Sequence, residues 1–186
     1  MALLAGTVLK SKRVVLLVPA SLKKQCFEDI HRWKQFYRVH PDINVVSYQK
    51  LSRPESAFML EDLAPDLIVM DEAHYLASTK STVTKRVFTY CKRNPKTKFI
   101  VMSGTLVQQS LNKYAHLLEL ALRGDAPVPT SHQIRERWEA VLNPHGEYTH
   151  NDWCQMRWLV GKEVPRERQK EAAQIAFQHR LKTCPL

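Results

Sequence analysis

Leu67-Ile68-Val69-Met70-Asp71-Glu72-Ala73-His74 is the stretch on which the rest of this chain turns. Four apolar residues run directly into two adjacent acids. A run this short, opened by Pro65-Asp66, is too brief for a typical helix; its unbroken apolar character is that of a strand buried on both faces of a parallel sheet. The acids then fall at the strand's C-terminal end, where open α/β sheets bind ligands. A carboxylate near a buried strand end is costly unless it is paired or holds a metal, so two in succession point to chemistry. One can hold Mg²⁺ while the other orients or deprotonates a water, the division of labour of nucleotide hydrolysis. The bland alternative is an acidic cap between a strand and a helix.

Outward from this stretch, strands alternate with helices. Val14–Val18 reads as a buried strand ended by Pro19, and Ile43–Val46 as another. Lys98–Met102 is a further strand, running into Ser103-Gly104-Thr105. Between them the spacing predicts a helix from Ser21, its cap, to about Tyr37, with Leu22, Cys26, Ile30 and Trp33 on one face and Phe27 and Phe36 widening it. A short helix is expected over Pro54–Leu63, then one from Ser78 to about Arg93. The next runs from about Gln108 to Arg123, with Gly124 as its C-terminal glycine. Met1–Leu9 reads as a short buried helix. This alternation is the signature of a parallel α/β sheet flanked by helices. From Asp125 the pattern changes to helices alone, at about Ser131–Leu142, Asp152–Leu159 and Arg166–Lys182. The expected division is therefore residues 1–123 and a helical extension, 124–186.

Composition narrows the class. The 186 residues are 44% hydrophobic and 25% charged, the balance of a soluble globular protein. No apolar run is long enough to span a membrane, and the N-terminus lacks the basic start of a signal peptide. A net charge of +10 favours a polyanionic partner, nucleic acid being the commonest, against the alternative of a merely basic surface. Cys26, Cys91, Cys154 and Cys184 show neither C-x-x-C spacing nor a disulfide framework. His150 and Cys154, four apart, do not make a metal site on their own. The thiols are expected to be reduced, in an intracellular compartment such as cytoplasm or nucleus.

Four segments follow the four strands in order: Pro19-Ala20-Ser21-Leu22, Ser47-Tyr48-Gln49, Asp71-Glu72-Ala73-His74 and Ser103-Gly104-Thr105. In a parallel sheet all four reach one edge. Their order resembles the first RecA-like lobe of superfamily-two DEAH-box helicases and translocases. Val18-Pro19-Ala20-Ser21-Leu22 with the later Trp33, and Ser103-Gly104-Thr105-Leu106-Val107-Gln108-Gln109, resemble the Swi/Snf-like branch. The resemblance implies an α/β, RecA-like fold of the P-loop NTPase type, ATP and Mg²⁺ as cofactors, and DNA as partner. It implies that Asp71 holds Mg²⁺, that Glu72 activates the attacking water, and that His74 contacts the γ-phosphate or the Ser-Gly-Thr segment. Ser103, Gly104, Thr105 and Gln108 would couple nucleotide state to the nucleic-acid groove. Pro19, Ala20, Ser21, Leu22, Ser47 and Tyr48 would touch the sugar-phosphate backbone. Gln178–Thr183 resembles the basic segment that leads to a second RecA-like lobe.

Blander readings stand beside these. Ser21 serves equally as a helix cap, Gly104 as a turn glycine and His74 as a satisfied polar residue. Trp138, Trp153 and Trp158 fit a core better than base-stacking platforms.

One departure from the pattern is large. No G-x-x-x-x-G-K-[ST] loop occurs, and the one Gly-Lys pair, Gly161-Lys162, precedes Glu163. That loop supplies the amides and lysine that hold the β- and γ-phosphates. The chain is expected to start just after it and to stop before the second lobe with its arginine finger. On that reading it is expected to be a fragment or a degenerate product, with an unpaired position in its sheet. Without those groups, isolated turnover of ATP is expected to be undetectable. Three functions follow: part of an ATP-dependent DNA helicase or translocase; a non-catalytic nucleic-acid- or partner-binding module derived from one; or a different P-loop ATPase. The third leaves the Ser-Gly-Thr segment unexplained.

Overall fold

Strands β1 (Val14–Val18), β2 (Ile43–Ser47), β3 (Leu67–Met70) and β4 (Lys98–Val101) pair in the order β2-β1-β3-β4, every pair parallel. The computed structural model describes residues 2–103 and 111–183. The chain divides into two compact units, Met1–Leu106 and Val107–Leu186. The sheet forms the first. Val14 stands opposite both Ile43 and Leu67, and Leu67 opposite Lys98, so the strands start nearly level.

The central strands are apolar throughout because both faces are covered. Every residue of β1 and β3 is buried. Val14, Leu16, Val18, Val45, Leu67 and Val69 form one core layer. Ala2, Leu3 and Ala5 of α1 (Ala2–Val8) and Cys26 and Ile30 of α2 (Lys23–Trp33) pack on it. The alternate residues Val15, Leu17, Ile68 and Met70 point the other way and are just as buried. Helices α3 (Tyr48–Ser52), α4 (Met59–Leu63) and α5 (Thr82–Arg93) supply further buried residues of this unit, among them Leu51, Leu60, Val83 and Val87. Tyr90 donates to the Pro65 carbonyl at 2.9 Å and Thr84 to that of Leu76 at 3.3 Å, fixing α5 to the chain on either side of β3. This is the parallel α/β sheet flanked by helices expected from the strand pattern, and it agrees with the RecA-like fold that the resemblance implies. The apolar burial stabilises it by roughly 1.5–3 kcal/mol per large side chain.

Two contacts set the level start of the strands. The Asp66 carboxylate accepts from the backbone N–H of Lys12 at 2.7 Å and of Arg13 at 2.9 Å, joining the entries to β1 and β3. Burial works to raise its pKa, but these amides outweigh it and hold it below its ordinary value. Gly6 lets α1 approach β1: a Cβ there would lie 2.6 Å from Val14 Cγ2.

Local structure departs from expectation in several places. Ser21 caps no helix; Ala20–Leu22 is a 3-10 turn closed by Leu22 N–H to the Pro19 carbonyl, and α2 starts after it. α2 ends at Trp33 and buries none of its residues fully. Leu22, Cys26 and Ile30 are half-buried, while Phe27, Trp33 and Phe36 of the expected apolar face stay exposed. The helix expected over Pro54–Leu63 is two pieces, a 3-10 turn at Pro54–Ser56 and α4, and the separate helix α3 precedes it. Ser47 starts α3 by accepting from Lys50 N–H, and Pro54, which has no N–H, begins a separate 3-10 turn before α4. A 3-10 turn, Ala73–Leu76, occupies the connection after β3, and α5 begins at Thr82, capped by Ser81.

The second unit contains helices α6 (Leu111–Leu122), α7 (His132–Leu142), α8 (His150–Val160) and α9 (Gln169–Thr183). Trp138, Val141, Trp153, Met156, Ala173 and Phe177 make its core. Trp158 does not join them: it is 60% exposed, with the Arg180 guanidinium 5.4 Å from its ring. Arg135 knots the unit, donating to Glu119 and to the Pro129 and Thr130 carbonyls, each at 2.8 Å, and to Asn112 at 3.2 Å. Gly124 does not end α6 as a left-handed glycine. Arg123, at φ +52°, takes that conformation and opens a 3-10 turn. Among the described residues no helix is long and apolar enough to cross a membrane.

Candidate functional site

Because the strands are parallel, the segments that follow them gather at one edge of the first unit, and hydrogen bonds join them in sequence. Ala20 N–H, after β1, donates to the Gln49 side-chain oxygen, after β2, at 2.9 Å. Tyr48 Oη, after β2, donates to the Asp71 carbonyl, after β3, at 2.8 Å. Asp71 N–H donates back to Leu17 of β1 at 2.9 Å. Ala73 N–H, in the turn after β3, donates to the Met102 carbonyl, after β4, at 2.8 Å. Asp71 and its neighbours are thus held by groups from all three other strand ends.

The turn they hold is bent. Glu72 has φ +53° and ψ +50°, a left-handed conformation that costs a non-glycine residue about 1–2 kcal/mol. Strain of this kind persists where surrounding contacts over-determine it, and it clusters at functional sites. Asp71 Oδ1 accepts from Glu72 N–H at 3.1 Å, and His74 Nδ1 donates to Glu72 Oε2 at 3.1 Å. The His74 ring lies 4.7 Å from Tyr75, which stacks on Tyr48 at 5.3 Å with planes 5° apart. Burial pushes the Tyr48 phenol up, and the Asp71 carboxylate adds to the shift, so the hydroxyl remains a donor. Burial, then Asp71 and Asp29, also push the Cys26 thiol up.

The residues singled out in the sequence sort by exposure. Asp71 and Glu72 are half-buried and His74 is exposed. Ala20 and Ser21 face solvent, Leu22 is half-buried and Pro19 is buried. Ser47 and Tyr48 are 6% and 2% exposed, and both hydroxyls are engaged inside the protein. Ser103 is half-buried; Gly104, Thr105 and Gln108 lie outside the described residues. Two participants escaped the sequence reading, the Tyr75 ring and the Met102 carbonyl, while Gln49 was marked only as part of the Ser47-Tyr48-Gln49 segment, with no role given. Tyr75 adjoins a segment already marked as a strand end, which was the available signal. A backbone carbonyl leaves none.

Among the described residues no group of three His, Cys, Asp or Glu side chains could form a metal cage. Mg²⁺ is ordinarily held by one or two carboxylates, with waters and substrate phosphates completing the shell. The adjacent, half-buried Asp71 and Glu72 fit that mode. The groups that would hold phosphates, a glycine-rich loop with lysine, are not in these 186 residues.

The SNF2-related domain model matches residues 20–160. This chain belongs to the SNF2-related domain family. The match takes in all four strand-end segments, the first from Ala20 onward, and all of α2 to α8, and so reaches into both compact units. Among curated proteins nothing matches the chain.

Proposed function

We propose that the chain is the carboxylate-bearing part of an ATP-dependent DNA translocase or helicase of the Swi/Snf-like, DEAH-box kind. The observation that carries this is the strained turn at Glu72, held from the ends of β1, β2 and β4 beside Asp71. Asp71 would hold Mg²⁺, which when bound with nucleotide neutralises phosphate charge. Glu72 sits where it can orient a water and take its proton, with His74 fixing the carboxylate's direction through the 3.1 Å contact.

Nucleic-acid contact falls on the exposed Ala20 and Ser21 in this reading. Ser47 and Tyr48 act from beneath, and Ser103, Gly104, Thr105 and Gln108 carry the coupling to nucleotide state. DNA binding is supported by the net charge of +10 and by the family. A second RecA-like lobe would be the partner in the whole enzyme, and residues 124–186 would serve as the extension toward it. An intracellular, reducing compartment suits the free thiols Cys26, Cys91 and Cys154. Alone, this polypeptide is not expected to turn over ATP, since it lacks the phosphate-holding lysine and amides.

Calorimetry tests this reading, with Mg-ATP added to the chain in the presence and absence of single-stranded and duplex DNA, wild type against Asp71→Asn. DNA affinity that falls steeply with salt, together with any Mg-ATP binding being weakened by Asp71→Asn, is the expected result. Mg-ATP binding that Asp71→Asn leaves unchanged, or no DNA affinity at low salt, contradicts it. DNA binding with no nucleotide binding in either protein would favour the second reading, a non-catalytic nucleic-acid-binding module.

A further inference from the structure

The connection from β1 to β2 carries a surface that the strand-end site does not use. Phe27, Trp33, Phe36 and Tyr37 are 50%, 41%, 72% and 51% exposed. Four large aromatics are left open within eleven residues, an exposed apolar surface of the kind that marks an interaction site. Cys26 and Ile30 are the side of α2 that packs on the sheet. Trp33 and Tyr37 continue the same stripe, with rings 5.2 Å apart, but stay open to solvent.

Topology separates this patch from the strand-end segments. In a parallel β1–α2–β2 crossover, the helix leaves the C-terminal edge of the sheet and returns to the opposite edge. Trp33, Phe36 and Tyr37, at and beyond the end of α2, therefore lie about 16 Å of helix away from Ala20–Leu22. The surface is basic but not uniformly so. Over residues 23–38, Lys23, Lys24, Arg32, Lys34 and Arg38 outnumber Glu28 and Asp29, five against two, for a net +3 with His31 neutral. Lys23 lies over the Phe27 ring at 5.8 Å, and Glu28 lines a shallow depression with Phe27, His31, Arg32 and Gln35. Aromatic anchors among arginine and mixed charge are the composition of a protein interface. A nucleic-acid surface is more uniformly positive, and a second copy of a chain carrying +10 would be repelled by the same cations.

We infer that the aromatic, basic surface of α2 and the turn after it, Phe27 to Arg38, docks an acidic peptide segment bearing apolar side chains. The aromatics supply the anchors and Lys34, Arg32 and Arg38 the charge complement. This surface is independent of the nucleotide reading.

The probe is a fluorescein-labelled peptide of about 16 residues with Leu and Phe at helical i, i+3, i+4, i+7 spacing and Glu elsewhere. Its counterpart has Lys in place of Glu, and fluorescence anisotropy reads binding to the intact chain. The acidic peptide is expected to bind and to weaken with salt. Phe36→Ala and Lys34→Glu should each reduce affinity by roughly tenfold without changing the far-ultraviolet circular dichroism. Both side chains project from the surface, so folding is spared. The inference is overturned if the acidic peptide does not bind, if the basic counterpart binds as tightly, or if both variants bind as wild type does. It is also overturned if Phe36→Ala instead weakens binding of single-stranded DNA, or converts a dimer to a monomer in sedimentation, since either assigns the surface a different occupant.

Discussion

The two units hold their polar groups in opposite ways. In the first, the strand-end turn hangs on backbone carbonyls and amides, and the hydrogen-bonded pair within it, His74–Glu72, has side chains 41% and 40% exposed. In the second, one arginine, Arg135, gathers a carboxylate, an amide and two carbonyls at a side-chain exposure of 14%. A parallel sheet brings distant segments together through its ladder, so its edge keeps carboxylates available for a ligand. A helical unit has no ladder between its elements, and buried side chains must do the joining. The proposed site accordingly lies at the sheet edge, and in the second unit Arg135 spends its donors on the unit itself.

Breaking the second unit's core should give the largest effect. Trp138 is 1% exposed, donates to the Gln155 carbonyl at 3.1 Å and meets Phe177 edge-on at 6.0 Å. Trp138→Ala is expected to cost about 3–5 kcal/mol in urea unfolding. Hydrogen exchange should rise in α7–α9 while β1 and β3 stay protected; equal loss in both units would erase the distinction drawn between them. Arg135→Met removes the knot itself and leaves Glu119 and two carbonyls without their donor. With Glu119 partly solvated, the expected cost is about 2–3 kcal/mol by the same assay.

Gly6→Ala probes the first unit's packing. Alanine is the better helix former, yet its Cβ would crowd Val14, so a net loss of about 1–3 kcal/mol is expected. Stabilisation would show that α1 yields easily. Tyr48→Phe deletes one hydroxyl and keeps the stack on Tyr75; about 1 kcal/mol should be lost. Asp66→Asn is the mildest, at about 1 kcal/mol near neutral pH after allowing for solvent. Its sign with pH is specific. The folded carboxylate titrates below its ordinary 3.8, so its contribution is fully present above that value and is lost as pH falls through the lower folded one. Wild type and variant should therefore converge in acid, and a gap that widens there would refute the assignment.

Much of the first unit was legible because buried strands announce themselves as apolar runs, and Val14–Val18 and Leu67–Met70 stand where the pattern put them. The parallel order followed from the intervening helices. Local endings were less legible. Nothing in Pro19-Ala20-Ser21 distinguishes a capped helix from a 3-10 turn, and Arg123 took a conformation that composition assigns to Gly124. The aromatic face of α2 read as core because periodicity reports which residues share a face and is silent on whether anything covers it. Within the site, Asp71, Glu72 and His74 were visible as types at a strand end. The inward turn of Tyr48, the left-handed Glu72 and the Gln49 link depend on tertiary geometry that spacing does not encode.

If the strand-end segments act as one hydrogen-bonded unit in the proposed function, nucleic acid bound near Ala20 and Ser21 is felt at Glu72 and His74. Nuclear magnetic resonance of the His74 imidazole during titration with single-stranded DNA tests it directly, in wild type and in Tyr48→Phe. The account predicts that the His74 signals move in step with DNA occupancy, and that the variant binds DNA within about twofold of wild type but loses most of that movement. His74 signals that stay fixed at saturating DNA, or move equally in both proteins, would contradict it.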